Sequence, residues 1–267
     1  MPRKRGFPPV LKRFGQHFLD DRESLTAIAD AVRVGKNDVV VEIGPGRGAL
    51  TELLLERAGR VIAVEIDHEL VARLQKAHEG DTRLTVIEGD ILSLNYADIV
   101  TQPFSVVGNV PYYITTPILF GLLRPPLPVR AVLLVQEEVA QRIVASPDSR
   151  EYGALTVNVQ AVAHAEIVRS VPASAFTPRP KVESSVIRIT PLEQPVVPPD
   201  ELGEFRTFVQ AAFGMRRKQL ANILRSVRRL SLDEAGAILE GQGIDPRARP
   251  ETLSPVQFVS LMRAARS

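Results

Sequence analysis

Residues 39–66 read VVVEIGPGRGALTELLLERAGRVIAVEI, and the fold is decided there. VVVEI (39–43) is a short run of mostly β-branched residues without polar alternation, the pattern of a strand buried on both faces. It runs into glycines at 44, 46 and 48, and ALTELLLERA (49–58) follows with helical character. RVIAVEI (60–66) is a second buried-strand run. Strand, glycine turn, helix and strand make the βαβ unit of a doubly wound parallel sheet.

The same alternation continues outward. LTVIEG (84–89), FSVVGN (104–109) and AVLLVQ (131–136) read as further buried strands, and AEIVRSV (165–171) and SSVIRIT (184–190) add two more. Between these last two, the prolines of PASAFTPRPK (172–181) exclude a helix or a central strand. Upstream, Asp21 caps a helix over DRESLTAIADAV, whose Leu25, Ile28, Ala29 and Val32 recur at i, i+3, i+4 and i+7. PLEQPVVPPD (191–200) holds four prolines in ten residues and marks a boundary. Helical spacing follows it in ELGEFRTFVQAAF, MRRKQLANILRSV, LDEAGAILEG and SPVQFVSLMRAA. The expected organisation is a basic arm and first helix over 1–36, an α/β domain over 37–190 and a small all-helical domain over 200–267.

Composition narrows the chemistry. The 267 residues are 45% hydrophobic and 24% charged, as in a soluble globular protein. There is no Cys, which excludes disulfides, thiolate metal sites and Cys nucleophiles. The four His (His17, His68, His78, His164) lack ligand spacing, so no metal is expected. No apolar run reaches the ~18 residues of a membrane span, and MPRKRGFPPVLKR has no apolar core of a secretory signal; a cytoplasmic monomer is expected, with no membrane partner. The net charge of +2 is uneven: Lys/Arg against Asp/Glu stand at 8 to 4 in residues 1–36, 14 to 18 in 37–190 and 11 to 9 in 191–267. Basic ends around an acidic middle suit a polyanion held by the ends. The candidate phosphate contacts are Arg3, Lys4, Arg5, Lys12 and Arg13 at one end and Arg216, Arg217, Lys218, Arg225, Arg228 and Arg229 at the other.

The glycine loop lets a ligand approach the backbone at Gly44 and Gly46, beside the free N–H groups of a helix start. Gly44, Gly46 and Ala49 also satisfy G-x-G-x-x-A, which leaves a dinucleotide open. Glu65 stands at the end of the second strand, about 20 residues on, where an acid accepts from both ribose hydroxyls. Asp90 ends the third strand, suited to an adenine amino group. With Glu42 these acids form a mouth that fits S-adenosylmethionine, whose sulfur is positive and which has no pyrophosphate to repel.

Asn109-Val110-Pro111-Tyr112 ends the fourth strand abruptly at the carboxyl edge of the sheet. The N-x-P-Y pattern answers a specific need. The lone pair of adenine N6 is delocalised into the ring, so the amine is a poor nucleophile. The Asn109 carbonyl oxygen and the backbone carbonyl of Val110 or Pro111 accept its two N–H bonds and favour a tetrahedral nitrogen. Tyr112 stacks on the purine, worth ~1–3 kcal/mol.

RFGQHFL, VVEIGPGRGALT, VIAVEID, GDIL, GNVPYYITTPI, QEEVAQRI, YGALTV, PASAFTPRPKVESSVIR and FGMRRKQLANIL occur in this order over nearly the whole sequence. The set resembles the small-subunit ribosomal RNA adenine N6,N6-dimethyltransferase family. The resemblance implies a Rossmann-like class I methyltransferase sheet of seven strands with a C-terminal helical domain that binds RNA. It implies transfer of four methyl groups to two adjacent adenines near the 3′ end of small-subunit rRNA, late in assembly of the small ribosomal particle. By motif position it implies cofactor contacts at His17, Leu19, Gly44, Glu65, Asp90 and Asn109, and a second aromatic wall for the target base at Phe176. The sequence departs from the family at Val110, where Leu is usual, at Gln219, where Thr is common, and at His17, where Asn is frequent. Competing readings are a nicotinamide-dependent oxidoreductase, which leaves the tetrad and basic tail without a role, a non-catalytic assembly factor, and a DNA adenine methyltransferase.

Overall fold

The computed structural model describes residues 17–266. Among these, strands β1 (Phe18–Leu19), β2 (Val39–Ile43), β3 (Arg60–Glu65), β4 (Leu84–Glu88), β5 (Phe104–Asn109), β6 (Arg130–Gln136), β7 (Ala163–Val171), β8 (Phe176–Thr177) and β9 (Ser184–Pro191) alternate with helices. The helices are α1 (Arg22–Ala31), α2 (Ala49–Arg57), α3 (His68–Ala77), α4 (Tyr96–Ile99), α5 (Thr115–Leu122), α6 (Glu137–Val144), α7 (Ala154–Gln160), α8 (Leu202–Gly214), α9 (Leu220–Arg228), α10 (Leu232–Gly241) and α11 (Pro255–Ala264).

Seven strands form one sheet in the order β4-β3-β2-β5-β6-β9-β7. The first five are mutually parallel. β9 runs antiparallel to β6, with Ser184 opposite Gln136. Strand order reverses between β2 and β5, so the helices that follow these strands diverge and leave a crevice at their carboxyl ends. All five residues of β2 are buried, as its unbroken apolar run requires. Asp21 caps α1 by accepting from the Ser24 N–H at 2.8 Å. Gly108 lets β5 close on β2, since a Cβ there would stand 2.8 Å from the Ile43 carbonyl oxygen.

The described residues divide into two compact units, those up to 140 with 166–190 and those over 141–165 with 191 onward. Residues 141–165, read from sequence as part of the α/β domain, therefore group with the C-terminal helices. Their own bonds explain it. The Tyr152 hydroxyl donates to the Leu253 carbonyl at 2.7 Å, and Ala161 and Val162 carbonyls accept from Val196 and Leu192. The rings of Tyr152, Phe213 and Phe258 pack in series. The helix expected from Met215 begins only at Leu220, because Met215–Lys218 form turns and the N–H groups of Leu220 and Ala221 go to the Ala248 and Pro246 carbonyls.

Candidate active site

A cavity of about 370 Å³ opens at the carboxyl edge of β2, β3, β4 and β5, within the size range of small-molecule sites. His17, Phe18, Leu19 and Asp20 form a strap on one side; Gly44–Arg47, Glu65–Ile66, Gly89–Leu92 and Asn109–Ile114 supply the rest. His17, Leu19, Gly44, Gly46, Glu65, Asp90, Asn109, Pro111 and Tyr112 thus come together at one cavity.

The strap is gripped by the glycine loop. Gly46 has φ +56°, which strains any other residue there, and a Cβ would meet the Phe18 ring at 3.0 Å and press it aside. The Arg47 guanidinium lies 4.2 Å from the centroid of the same ring and 3.9 Å from the Asp20 carboxylate. Further along, β1 pairs with β8, Leu19 opposite Phe176.

Glu65 is 5% exposed, and burial pushes its carboxyl above the ordinary range. One of its oxygens accepts from the Gly46 N–H at 3.1 Å, the other from the Ile66 and Asp67 N–H groups at 3.0 Å each. A carboxylate has about four acceptor positions, so a diol meets roughly one open position and gains a second by displacing Gly46, the longest of the three bonds. Asp90 is exposed and accepts from the Leu92 N–H at 2.9 Å.

Glu42 corrects the sequence reading of a three-acid mouth. It lines the cavity but is 1% exposed, and burial raises its pKa to about 8 against the bond donated by the Thr51 hydroxyl at 2.6 Å. At neutral pH this acid is mainly uncharged and contributes little to the attraction of a cation.

Asn109 is tied to the strap. Its amide Nδ2 donates to the backbone carbonyl of His17 at 2.9 Å. Because that carbonyl only accepts, the amide nitrogen faces the strap and Oδ1 is left as an acceptor elsewhere. The Pro111 carbonyl accepts from the Ile114 N–H at 3.1 Å, while the Val110 carbonyl has no backbone partner among the described residues. Of the two backbone acceptors read from sequence, Val110 is the freer.

Tyr112 is half-buried, and its hydroxyl shares a 2.6 Å hydrogen bond with Ser184 Oγ. This contact exists because β9 is antiparallel: its first residue lies at the edge where the parallel strands end. Burial raises the Tyr112 pKa, which keeps the phenol protonated. The His17 ring faces Tyr112 at 6.0 Å between centroids and 19° between planes, and His17 Nδ1 donates to the Pro178 carbonyl at 2.8 Å.

Phe176 lies elsewhere. It is 4% exposed, packed in the core with Leu19, Leu25 and Ile28, and absent from the cavity wall. Its alternation partner in β8, Thr177, points outward, so the aromatic takes the buried side. The ring opposite Tyr112 is that of His17. Sequence reasoning also missed Ser184, Arg47, and the apolar walls Ile66 and Leu92, which are 46% and 45% exposed at the cavity. The signal for Ile66 was its place directly after Glu65 in VEID.

The basic residues of the second unit fall into two groups. Arg228 pairs with Glu204 at 2.7 Å and lies over the Phe208 ring at 5.5 Å, which makes it structural. Arg216 sits 3.7 Å from Glu251 and donates to the Arg150 carbonyl. Arg217, Lys218, Arg225 and Arg229 are exposed. Arg3, Lys4, Arg5, Lys12 and Arg13 lie outside the described residues. Among the described residues no acid–imidazole group is arranged for a metal, and no helix is long and apolar enough to cross a membrane.

Glu42 carries a stability prediction. Its folded pKa of about 8 exceeds its ordinary value of 4.5, so the folded protein holds a proton that the unfolded one has released across that interval. Stability contributed at this site is full below about 4.5 and falls as pH rises through 8. Glu42→Gln keeps an acceptor for Thr51 and is expected to flatten the pH dependence of the urea midpoint between pH 5 and 8. A variant whose profile keeps the wild-type slope would overturn the assignment.

Comparison with known proteins agrees with this geometry. Residues 10–266 match the family model described as ribosomal RNA adenine dimethylase. Ribosomal RNA small subunit methyltransferase A of Moorella thermoacetica is 42% identical, covering 98% of this chain and 94% of the relative. The protein of the same name from Geobacter sulfurreducens is 43% identical, covering 94% of each. Among solved structures, a dimethyladenosine transferase from Plasmodium falciparum superposes with a TM-score of 0.80 at 28% identity, covering 92% of this chain and 96% of that one. The 23S rRNA methyltransferase ErmE gives 0.72 at 28% identity, covering 94% and 100%. With Asn109 and a Tyr112 tethered to Ser184 lining one cavity, and a match over almost its full length, the protein belongs to the ribosomal RNA adenine dimethylase family, which uses S-adenosylmethionine as methyl donor.

Proposed function

We propose that this enzyme dimethylates N6 of two adjacent adenines in a loop near the 3′ end of small-subunit ribosomal RNA, acting as a cytoplasmic monomer on the small ribosomal particle late in its assembly. The observation that carries the reading is the bond from Asn109 Nδ2 to the His17 carbonyl, which reserves Oδ1 for an amine. The oxidoreductase and non-catalytic readings gain nothing from the relatives, and neither uses this acceptor.

The residues present fit the donor. Gly44 and Gly46 admit it to the backbone, Glu65 suits its ribose hydroxyls, Asp90 its adenine amine, and Ile66 and Leu92 offer apolar faces to its ring; His17 and Leu19 lie opposite on the strap. S-adenosylmethionine supplies, when bound, a methyl group on a positively charged sulfur. The remaining work is the protein's. Asn109 Oδ1 and the Val110 carbonyl accept hydrogen bonds from the two N6–H groups, which favours a tetrahedral nitrogen and draws the lone pair out of the purine ring. Tyr112 supports the purine by its face, and Ser184 holds the phenol so that the ring cannot swing. Orientation of this kind is worth up to roughly 7–11 kcal/mol. The proton released by the amine leaves to water. An adenine in a loop reaches this pocket at lower cost than one in a duplex. Arg216, Arg217, Lys218, Arg225 and Arg229 are the phosphate contacts in this reading; Arg228, already paired with Glu204, is secondary.

Three measurements bear on it. Small subunits lacking the modification should take up methyl groups from wild type and about a hundredfold more slowly, or not at all, from Asn109→Ala; equal uptake by the two sinks the assignment. Tyr112→Phe and Ser184→Ala should each lower the single-turnover rate about tenfold with cofactor affinity unchanged, and the double variant should be no slower than either. Effects that multiply in the double variant would mean that the hydroxyl pair does not act as one unit. Arg217→Glu with Lys218→Glu should weaken RNA binding and reduce its salt slope by about 0.7 per lost phosphate contact, leaving cofactor affinity intact. An unaltered salt titration would remove these residues from the interface.

A further inference from the structure

Tyr113 has no role in the chemistry above, and its position is unusual. It is 64% exposed and is the single aromatic among the exposed large apolar side chains of the described residues. It nonetheless belongs to the wall of the catalytic cavity. Tyr112, Tyr113 and Ile114 form one turn of 3-10 helix, in which successive side chains are rotated by about 120°. Tyr112 is directed to Ser184, at the start of β9. Tyr113 therefore cannot share its direction, and its exposure places it on the outer rim of the same opening.

We propose that Tyr113 is a stacking platform for the RNA base next to the target adenine, a subsite outside the pocket in which the methyl transfer occurs. The inference rests on the reading that an adenine enters the pocket from an RNA strand. When one base leaves a stack, its neighbour is left with a bare face, and this loss is part of the cost of extrusion. An aromatic ring at the mouth replaces the missing neighbour. Every base has a π-face, so the platform holds whichever base adjoins the target. Where two adjacent adenines are both substrates, one rests on Tyr113 while the other occupies the pocket beside Tyr112, and a shift of the strand by one nucleotide carries the first into the pocket and brings the nucleotide beyond it onto the platform. The two tyrosines, consecutive in sequence and turned apart by the helical turn, then serve consecutive nucleotides.

Because Tyr113 is exposed, its replacement leaves the core intact. The test compares wild type, Tyr113→Ala and Tyr113→Phe on small-subunit particles that lack the modification, with KM for the particle, kcat and the Kd of S-adenosylmethionine measured for each. Tyr113→Ala is expected to raise KM for the particle about tenfold with kcat within about twofold, Tyr113→Phe to restore it, and the Kd of the donor to stay constant in all three. A Tyr113→Ala enzyme with wild-type KM, or a Tyr113→Phe enzyme as impaired as Tyr113→Ala, would overturn the platform while leaving the reaction standing. Failure of wild type itself to methylate the particles overturns the reading of the reaction and the platform with it.

Discussion

One hydrogen bond organises the catalytic edge: the Asn109 amide given to the His17 carbonyl across 92 positions of sequence. An amide side chain is ambiguous at its end, since either heavy atom can turn toward the cavity. A backbone carbonyl removes the ambiguity, because only Nδ2 can satisfy it. The strap that brings this carbonyl is itself held at Phe18 by Gly46 and Arg47, and at Leu19 by the β1–β8 pair. The glycine loop and Asn109 are thereby joined through two consecutive strap residues, Phe18 and His17. Loss of the strap would leave both sites present and neither aligned.

The acids of the cavity divide the electrostatic work unequally. Glu42 and Glu65 are both buried, but Glu65 spends its lone pairs on three backbone N–H groups and Glu42 on a single hydroxyl. Burial alone would neutralise either group; hydrogen bonds to the charged form oppose this more strongly at Glu65. Asp90 is exposed and keeps its contact with water. Of the three acids, the one at the rim faces solvent and the two on the floor are buried. Glu42 is better understood as a structural link from β2 to α2 through Thr51.

Much of this was legible in the sequence. The five parallel strands lay open as apolar runs, and the glycine loop, Glu65, Asp90 and Asn109 were found because strand ends are visible wherever such a run stops at Gly, Asp or Asn-x-Pro. What stayed hidden depends on contacts between distant segments. Ser184 looked like one polar residue opening a strand; its meaning comes from the antiparallel placement of β9 beside β6. Phe176 looked like a pocket wall by motif position, yet pairing of β8 with β1 turns it into the core. Residues 141–165 carry no boundary signal of their own, and only their bonds to 192, 196 and 253 assign them to the second unit.

The basic tail shows why charge counting and site assignment differ. From Arg216 to Arg229 there are six cations and no acid, which in sequence reads as one continuous patch. Folding removes that uniformity, because acids from other segments come to some of these cations and not to others. Arg228 meets Glu204 and packs its guanidinium over Phe208, so its charge is largely spent within the helical unit. Glu204 also holds Arg266, so the pair is part of a network that fastens the last helix. Arg217, Lys218, Arg225 and Arg229 remain exposed, the condition under which a cation could displace the counterions condensed on a nucleic acid. A basic run is therefore a guide to a nucleic-acid surface only after the acids that fold against it have been subtracted.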